Sequence, residues 1–474
     1  MTARSDLDDL GAEEALALVN EGNGSGRQGD GQTSAGSAVP APTGEGVYDV
    51  DADTESPATD PGANPAPAPE RPRATSWPQA RAIAERAARR VPRAASAPVS
   101  VPLDAALGLV LAAPLAALTD LPSFDTSAMD GWAVAGPGPW DVREIGVLAG
   151  HAQPEPLTDG DAVRIATGAR IPYDTSAVLR SEHGRTDDKG RLHAIREMSH
   201  GQDIRPRGQE CRSGDQLLPT GTFVTPAVLG LAAAAGYDTL AVIPRPRAEV
   251  LVLGDELLTD GLPHDGLIRD ALGPMLPPWL RSLGADVIAV RRLGDDAEAL
   301  HAALKNSPAE IVVTTGGTAA GPVDHVHPTL RRLGAELLVN GVQVRPGHPM
   351  LLARLKENQH LVGLPGNPLA AVSGLLTLAE PLVRTLAGRA APEPYTLPLK
   401  DEVHGHPHDT RLVPVVLRGD RAVPLHYNGP AMLRGIAAAE ALAVVPPGGA
   451  RAGQELELLD LPWAAAAESG VCFT

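Results

Sequence analysis

The sequence predicts a multidomain protein that combines one α/β domain with several β-rich regions. With 474 residues the chain is too long for a single compact core, and about three or four domains are expected. Strand-like and helix-like segments alternate from residue 246 to residue 388, which indicates a doubly wound, mostly parallel sheet. Short apolar runs broken by Gly and Pro occupy residues 97–240 and the region after residue 388, and these indicate strands and turns.

The N-terminal 75 residues are predicted to form a disordered, acidic tail. Residues 21–75 consist mainly of Gly, Pro, Ser, Ala and acids, so they offer too little apolar surface to offset the entropy lost on ordering. Residues 6–20 could form only a short amphipathic helix. Order is expected to begin at a helix that follows Ser76, a suitable N-cap residue, with Pro78 in the first turn.

Charge and cysteine content exclude several functional classes. The formal net charge of −18 argues against general affinity for nucleic acid or an anionic membrane, so any anionic ligand has to be held by local groups. The two cysteines, Cys211 and Cys472, are too few for a disulfide framework, which suits a reducing compartment. The N-terminus lacks the basic and apolar stretches of a signal peptide, and we expect a soluble cytoplasmic protein that does not enter the membrane.

A candidate site lies at the predicted carboxyl ends of the parallel strands. Ligands of open parallel sheets bind there, where loops meet the N-termini of helices. The strand "EIVVTT" runs into Gly316 and Gly317, which let a ligand approach the backbone, and the same loop continues to Asp324. This arrangement suits a phosphate, although a permissive turn would have the same composition.

Two further loops end on the same predicted edge. "GLPGNP" places Asn367 near a helix N-cap and Pro368 at the first helical position, so it either contacts a ligand or only starts the helix. "VLGDELL" places Asp255 and Glu256 directly after a strand, where acids can bind a hydrated cation or transfer protons.

Two nearby pairs have simpler interpretations. Asp295 and Asp296 open the helix-like stretch "DDAEALHAAL" and would by default cap that helix. His325 and His327 have no third ligand close by in the sequence, so we do not predict a metal site there. The gathering of several acids at one sheet edge, rather than any single loop, favours a functional site.

Eight motifs follow one another along the chain: "LPSFDTSAMDGWAV", "RIATGARIP", "IRPRGQE", "VLGDEL", "GLIRDAL", "TTGGTAAGPVD", "VRPGHP" and "GLPGNP". In this order they resemble the molybdopterin molybdenumtransferases, the MoeA and gephyrin C-terminal family. The resemblance implies an elongated discontinuous domain (76–120 and 218–245) and an inserted β-rich domain (121–217). It also implies a three-layer α/β/α domain of the molybdopterin-binding type (246–388) and a C-terminal β-barrel-like domain (389–474).

The resemblance implies a reaction and an assembly as well. Members of this family insert molybdate into adenylylated molybdopterin, which releases AMP and forms the molybdenum cofactor, aided by a divalent cation such as Mg²⁺. They form elongated homodimers in which the α/β domain faces the inserted domain of the partner subunit. Other cofactor-synthesis proteins or molybdoenzymes are candidate further partners.

The functional positions of the family can be transferred one at a time. The acids implied to act in catalysis are Asp130, Glu210, Glu256, Asp295 and Asp324. Of these, Glu256, Asp295 and Asp324 are the implied Mg²⁺ ligands. The residues implied to bind the substrate are Thr167, Arg205, Arg207, Gly316, Gly317, Arg345, Pro365, Gly366, Asn367 and Pro368.

Several binding-loop residues depart from the family pattern. Ala319 and Pro322 replace a hydroxyl and an acid, and Leu272 replaces an amide. His348 stands where a Lys is usual, and Pro430 stands where a Ser is usual. These changes leave open an alternative function, a catalytically weakened paralogue that binds or carries molybdopterin or the finished cofactor. A third hypothesis, a scaffold that tethers a partner through its N-terminal tail, has less support in the sequence.

Overall fold

The computed structural model describes residues 74–92, 97–147, 150, 154–319 and 324–462. The predicted tail up to residue 73 and its short helix lie outside the described residues. Thr75, which the sequence pattern assigned to the tail, instead pairs with Val342 in a short parallel strand. The first elements are β1 (Thr75–Ser76), α1 (Trp77–Arg89), β2 (Val99–Pro102), α2 (Leu103–Ala106), β3 (Val110–Leu111) and β4 (Leu115–Ala116).

Helix α1 begins where the sequence predicts. Ser76 is its N-cap residue and Pro78 lies in the first turn, although no side-chain hydrogen bond caps the helix. Trp77 and Ala84 are buried in the same apolar core as the α/β sheet. The indole N–H of Trp77 donates to Oγ1 of Thr377 at 3.1 Å, which fixes the start of the helix to that core.

The next region is a β-sheet with both faces covered by small apolar clusters. Its elements are β5 (Thr126–Ser127), β6 (Gly131–Val134), β7 (Trp140–Val147), β8 (Asp161–Ile165), β9 (Ala177–Arg180), a 3-10 turn (Ser181–His183), β10 (Gly184–Thr186), β11 (Arg191–Ala194) and β12 (Ile204–Arg205). Six strands form one sheet in the order β10-β11-β7-β8-β6-β9, and β12 pairs separately with β5.

The chain then returns to pair with its first strands. The returning elements are β13 (Gln216–Leu218), α3 (Pro226–Ala234) and β14 (Thr239–Ile243). β14 lies between β2 and β3, and β13 pairs with β4. Helix α3 corrects the expectation of only strands and turns in this region. It is capped by Thr225 Oγ1, which accepts from the Val228 N–H at 3.3 Å, but its uniformly apolar sequence has no helical periodicity.

The predicted alternation of strands and helices is confirmed after residue 246. The elements are β15 (Arg247–Leu253), β16 (Leu257–Leu258), β17 (Ile268–Arg269), α4 (Leu272–Leu283), β18 (Asp286–Leu293), α5 (Ala297–Asn306), β19 (Ile311–Thr315), α6 (Val326–Leu333), β20 (Glu336–Asn340), β21 (Val342–Arg345), β22 (Leu351–Lys356), β23 (Gln359–Leu364), α7 (Pro368–Gly374), a π-helical turn (Leu375–Ala379) and α8 (Glu380–Leu386). The main sheet has the order β18-β15-β19-β23-β22-β20. Its first three pairings are parallel and its last two are antiparallel.

Side chains of β15 alternate between two apolar cores, as the period of two in a strand requires. Val250 and Val252 face the core that contains Leu276 of α4, whereas Leu251 faces the core that contains Leu300 of α5 and Leu330 of α6. The sheet therefore lies between two helical layers.

The C-terminal region is a β structure. Its elements are β24 (Thr396–Pro398), β25 (Val403–His404), β26 (Thr410–Arg418), β27 (Arg421–Pro424), α9 (Arg434–Ala438), β28 (Ala441–Val445), β29 (Gly449–Ala450) and β30 (Glu455–Asp460). One sheet runs β1-β21-β26-β28-β30-β24, with β27 beside β26, so it also includes β1, which precedes α1, and β21 of the α/β region. The domain boundaries given above remain a proposal.

The segment Pro368–Leu386 is long and apolar enough to cross a membrane by length and composition. It contains α7, the π-helical turn and α8, and 89% of its most apolar window is buried inside the protein. A buried core helix and a membrane span share this composition. Here the segment packs in the main core, where Leu375 and Leu382 are fully buried.

Candidate active site

Four parallel strands bring their carboxyl ends to one edge of the α/β sheet. β18, β15, β19 and β23 are adjacent in this order, and they lead into loops that begin at residues 294, 254, 316 and 365. β15 and β19 are neighbours, yet the helices that follow them, α4 and α6, pack on opposite faces of the sheet. Open α/β sheets bind ligands in the crevice at such a switch point.

The loops after β19 and β23 contact each other through glycines. Gly316 and Gly317 have φ angles of 79° and 64°, which favour glycine. The Gly316 N–H donates to the Leu364 carbonyl at 2.8 Å, and a Cβ placed on Gly366 would lie 3.8 Å from the Gly316 Cα. Because the Gly316 amide is already bonded within the protein, we expect the ligand-facing backbone of this loop to begin at Gly317.

Asp324 lies beside this glycine pair. Its Oδ1 is 4.0 Å from the position that a Cβ would take on Gly317, and the residue is half-buried. Ala319, in the same loop, is exposed. Pro322, the other departure in this loop, lies outside the described residues.

Asp255 and Glu256 fold back onto neighbouring glycines. Gly254 has a φ of 132°, and a Cβ placed on it would lie 2.2 Å from Oε2 of Glu256. Oδ1 of Asp255 lies 2.3 Å from the corresponding Cβ position on Gly294. A side chain at either glycine would displace a carboxylate, so the two glycines determine where these acids lie. Asp255 also joins the loop after β15 to the loop after β18, and the sequence pattern gave it no such role.

Asp295 and Asp296 are adjacent but differ in function. Oδ1 of Asp296 accepts from the Glu298 N–H at 2.8 Å and from the Ala299 N–H at 3.2 Å, so this residue caps α5 as predicted. Asp295 is exposed and does not serve as the cap. Of the two acids, Asp295 is therefore the one whose carboxylate is free of a capping role.

The loop after β23 starts a helix whose N-terminus is closed by the C-terminal region. Asn367 is the N-cap residue and Pro368 the first residue of α7, as predicted, but the Asn367 side chain makes no capping hydrogen bond. The Pro430 carbonyl accepts instead from the N–H groups of Leu369 at 2.9 Å and Ala370 at 3.4 Å. These two amides are not available to an anionic ligand. Pro365 is buried and Gly366 is exposed in the same loop.

Arg345 and Arg411 are register partners where β21 pairs with β26. Nε of Arg345 binds Oδ2 of Asp409 at 2.9 Å, and its side chain remains 51% exposed. Arg411 donates to Oδ1 of Asn428 at 3.0 Å, and burial lowers its pKa. Through Asn428, Arg411 lies beside the loop that closes α7, and Arg345 is its neighbour in the sheet. Arg411 was not predicted, because its only sequence signal is a charge near the start of an apolar strand.

Asp130 and Thr167 form a pair in the inserted β region. Oδ1 of Asp130 accepts from the backbone N–H of Thr167 at 2.7 Å and from its hydroxyl at 3.1 Å. Asp130 precedes β6 and Thr167 follows β8, and these strands are antiparallel neighbours. Both residues are exposed, so this end of the sheet can face a ligand.

Arg205, Arg207 and Glu210 follow one another beside α3. Arg205 and Glu210 line a cavity of about 640 Å³. Arg207 is held by an ion pair with Asp120, and its backbone N–H donates to Oδ1 of Asp125 at 2.7 Å. The Arg207 side chain remains 66% exposed in this ion pair, so its predicted role in substrate binding stays a prediction, as do those of Arg205 and Glu210, which line the cavity.

The implied Mg²⁺ ligands Glu256, Asp295 and Asp324 come to one sheet edge without forming a closed metal site. Among the residues that the structure describes, no three His, Cys, Asp or Glu side chains are placed to hold a metal ion. Mg²⁺ commonly retains waters and takes only one or two carboxylates together with substrate phosphates. Exposed carboxylates at this edge are compatible with that kind of binding, in which the substrate supplies the remaining ligands.

Two residues that depart from the family pattern, Leu272 and His348, make contacts within the protein. Leu272 is 5% exposed and packs in the main core. The start of α4 is held by Asp270, whose Oδ1 accepts from the Gly273 N–H at 2.8 Å and whose Oδ2 pairs with Arg292. Nδ1 of His348 bonds a backbone carbonyl oxygen at 2.8 Å. These residues stabilise the loops around the site.

Models of three protein families match successive parts of the chain. The "MoeA N-terminal region (domain I and II)" matches residues 75–236, the "Probable molybdopterin binding domain" matches residues 249–385, and the "MoeA C-terminal region (domain IV)" matches residues 396–461. A Mycobacterium tuberculosis protein named molybdopterin molybdenumtransferase 2 is 36% identical over 316 residues, which is 63% of this chain and 77% of that protein. The chain belongs to the molybdopterin molybdenumtransferase family.

Other members of the family agree with this assignment. A molybdopterin molybdenumtransferase of Staphylococcus aureus is 29% identical over 383 residues, covering 76% of this chain and 90% of the relative. Two solved structures of the molybdopterin biosynthesis protein MoeA from Pyrococcus horikoshii superpose with TM-scores of 0.67 and 0.64, at 25% and 21% identity. Each covers 82% of this chain, and 99% and 100% of the respective solved chains. The predicted family, transferase class and multidomain fold are confirmed. The role of each site residue stays a prediction.

Proposed function

We propose that this chain acts in molybdenum cofactor biosynthesis by inserting molybdate into adenylylated molybdopterin. A water molecule attacks the pyrophosphate link of the substrate, which releases AMP and leaves a phosphate on the pterin. The two pterin sulfurs bind molybdenum, and the molybdate oxygens that they displace leave as water together with the thiol protons. The observation that supports this most strongly is the arrangement of Gly317, Glu256, Asp295 and Asp324 after neighbouring parallel strands, in a chain that belongs to this family.

The anionic parts of the substrate would be held by local groups, as the net charge of −18 requires. The backbone of Gly317 lies at the end of β19, and a phosphate can approach it closely. Arg345 and Arg411 add two guanidinium groups, which favour phosphate and other oxyanions. The N-terminus of α7 does not serve this purpose, because Pro430 occupies it.

The carboxylates are proposed to act on protons and on a divalent cation. Glu256, Asp295 and Asp324 would hold Mg²⁺ together with substrate oxygens, and Mg²⁺ would neutralise charge at the pyrophosphate link. A carboxylate at this edge, of which Asp324 is the one beside the glycine pair, would accept or return the protons that accompany loss of a molybdate oxygen.

We further propose that the complete site forms in a homodimer. The hydrogen bonds described for Asp130 and Thr167 stay within the inserted region, and Arg207 bonds Asp125 in that region and Asp120 at its boundary. The contacts described for Glu256 and Gly316 stay within the α/β region. A second copy that presents its inserted region to the sheet edge would unite both groups around one substrate.

The homodimer is tested in two ways. Sedimentation should show a dimer. Mixing an inactive Asp130→Asn chain with an inactive Asp324→Asn chain should restore part of the activity.

The reaction is tested by incubating the purified full-length chain with adenylylated molybdopterin and Mg²⁺, with and without molybdate. We expect AMP release that depends on molybdate, together with molybdenum bound to the pterin product. Tight pterin binding without molybdate-dependent AMP release would reject the enzymatic proposal and leave the carrier function. A matched control is Asp420→Asn, because Asp420 is 89% exposed and lies in the C-terminal β-turn away from the sheet edge.

A further inference from the structure

A small basic cavity lies at the opposite edge of the α/β sheet from the candidate active site. It has a volume of about 160 Å³ and is lined by Arg86 of α1, Arg90 at the C-cap of α1, Arg354 of β22 and His360 of β23, among others. His360 is four residues before Leu364, where β23 enters the active-site loop, a distance of about 13 Å at roughly 3.3 Å per residue. The cavity is therefore a separate feature.

His360 lines this cavity, and one nitrogen of its buried imidazole lacks a hydrogen-bond partner in the described part of the chain. The residue is only 1% exposed, and its Nδ1 has no hydrogen-bond partner among the described residues. Burial, followed by the charge of Arg354, lowers the pKa of His360 to about 4, so the ring is neutral at neutral pH. A buried polar group without a protein partner points to a bound water or ion that completes its hydrogen bonding.

The charges around the cavity are unbalanced. Arg86 and Arg90 are one helical turn apart, are exposed, and form no side-chain hydrogen bond or ion pair in the described part of the chain. Arg354 pairs with Glu336. Three guanidinium groups and one carboxylate leave a net charge of +2 at this position, in a protein whose formal net charge is −18.

The size of the cavity limits what can enter it. The volume of about 160 Å³ is well below the roughly 300–1,000 Å³ of ordinary ligand pockets, which suits a small ion such as an oxyanion. A pterin or a nucleotide is too large. Ile83 and Leu338 supply apolar wall, so the polar contacts are concentrated on the arginines and the histidine.

We propose that this cavity binds a small tetrahedral oxyanion with two negative charges, such as phosphate, sulfate or molybdate. Arg86, Arg90 and Arg354 supply the charge-assisted hydrogen bonds, and the His360 ring supplies a buried neutral donor. The site is independent of the proposed catalytic reaction, because its residues lie at the other end of β23. Arginine favours this ligand class, since its guanidinium group matches the geometry of an oxyanion.

The proposal is tested by calorimetric titration of the full-length chain with phosphate, sulfate and molybdate separately. We expect saturable oxyanion binding, in addition to any at the candidate active site, that weakens by roughly tenfold or more in Arg86→Ala and in Arg90→Ala. The matched control is Arg89→Ala, which removes the same charge from the same helix. Arg89 is 68% exposed, pairs with Glu85 and does not line the cavity. Its oxyanion affinity should change by less than about twofold.

The two arginine variants should keep the thermal midpoint of the wild-type chain in anion-free buffer, because both side chains are exposed. A crystal soaked in molybdate should show anomalous scattering from molybdenum within hydrogen-bond distance of Arg86 and Arg90. Preference for molybdate over phosphate and sulfate, or equal binding of all three, would both support an oxyanion site. Equal loss of affinity in Arg89→Ala, unchanged affinity in Arg86→Ala and Arg90→Ala, or a cavity that holds only water would overturn the proposal.

Discussion

The carbonyl oxygen of Pro430 accepts a hydrogen bond of 2.9 Å from the backbone N–H of Leu369, and so closes the first turn of α7. A helix N-terminus at the end of a parallel strand is ordinarily an anion site. In this chain it anchors the C-terminal region instead, so we propose that the loop at Gly317 and the arginines make the oxyanion contacts.

Pro430→Ser should preserve this contact, because the carbonyl belongs to the backbone. We expect the free energy of unfolding to fall by at most about 1 kcal/mol, from the greater freedom of the unfolded chain, with molybdate-dependent AMP release retained. Urea unfolding and an AMP assay measure the two effects. Loss of more than about tenfold in AMP release would show that the proline ring itself is needed at this position.

Gly317→Ala should weaken binding of adenylylated molybdopterin by more than its loss of folding stability can explain. A left-handed φ of 64° makes alanine cost about 1–2 kcal/mol in the free energy of unfolding. Gly334→Ala is a matched control, since Gly334 has a φ of 67° with no atom near its Cβ position and ends α6 away from the site. By urea unfolding, Gly317→Ala should lose somewhat more stability than Gly334→Ala, because its Cβ would also lie 3.1 Å from Cγ2 of Val326. Only Gly317→Ala should raise KM for adenylylated molybdopterin. Equal kinetics in the two variants would argue against a ligand-binding backbone.

Substitutions at Asp295 and Asp296 should have different effects, on kcat in the first case and on folding stability in the second. Asp296→Ala removes the cap of α5 and is expected to cost about 1 kcal/mol in the free energy of unfolding, with little change in kcat. Asp295→Asn should leave stability within about 0.5 kcal/mol and lower kcat. Thermal unfolding and single-turnover AMP release distinguish them. The assignment fails if Asp295→Asn has wild-type kinetics at limiting Mg²⁺.

The ion pair between Arg180 and Asp203, which lies two residues before Arg205, should stabilise the fold less at acidic pH. Arg180 binds Asp203 through Nε to Oδ2 and Nη2 to Oδ1, each at 2.9 Å, and this lowers the pKa of Asp203 below its usual 3.8. The folded-state pKa is the lower one, so the stabilisation is complete above about pH 3.8 and is lost as pH falls through the folded-state pKa.

Asp203→Asn tests this ion pair, and asparagine tolerates the φ of 56° at this position. At pH 7 the variant should be less stable by about 1–3 kcal/mol, because the hydrogen bonds to a charged group are weakened. The difference between wild type and variant in urea unfolding should shrink as pH falls below 3.8. A difference that stays constant from pH 7 to pH 2.5 would contradict the assignment.

The sequence predicted the features that depend on short stretches of neighbouring residues. The strands of the α/β region, the Asp296 cap and the start of α7 at Asn367 follow from periodicity and capping residues. The contact between Asp255 and Gly294, the register pairing of Arg345 with Arg411, and the closure of α7 by Pro430 join distant parts of the chain. No local pattern encodes such contacts. Helix α3 was missed for a different reason, because its uniformly apolar run has no period.

Single-turnover AMP release tests the central claim most directly. The full-length wild-type chain, in excess over adenylylated molybdopterin, is compared with Glu256→Gln and Asp324→Asn in the presence of molybdate and Mg²⁺. We expect the wild-type chain to release AMP only when molybdate is present, and each variant to be slower by about 100-fold or more while still binding the pterin. The proposed site would be contradicted if the wild-type chain released AMP equally fast without molybdate, or if the variants released AMP as fast as the wild-type chain.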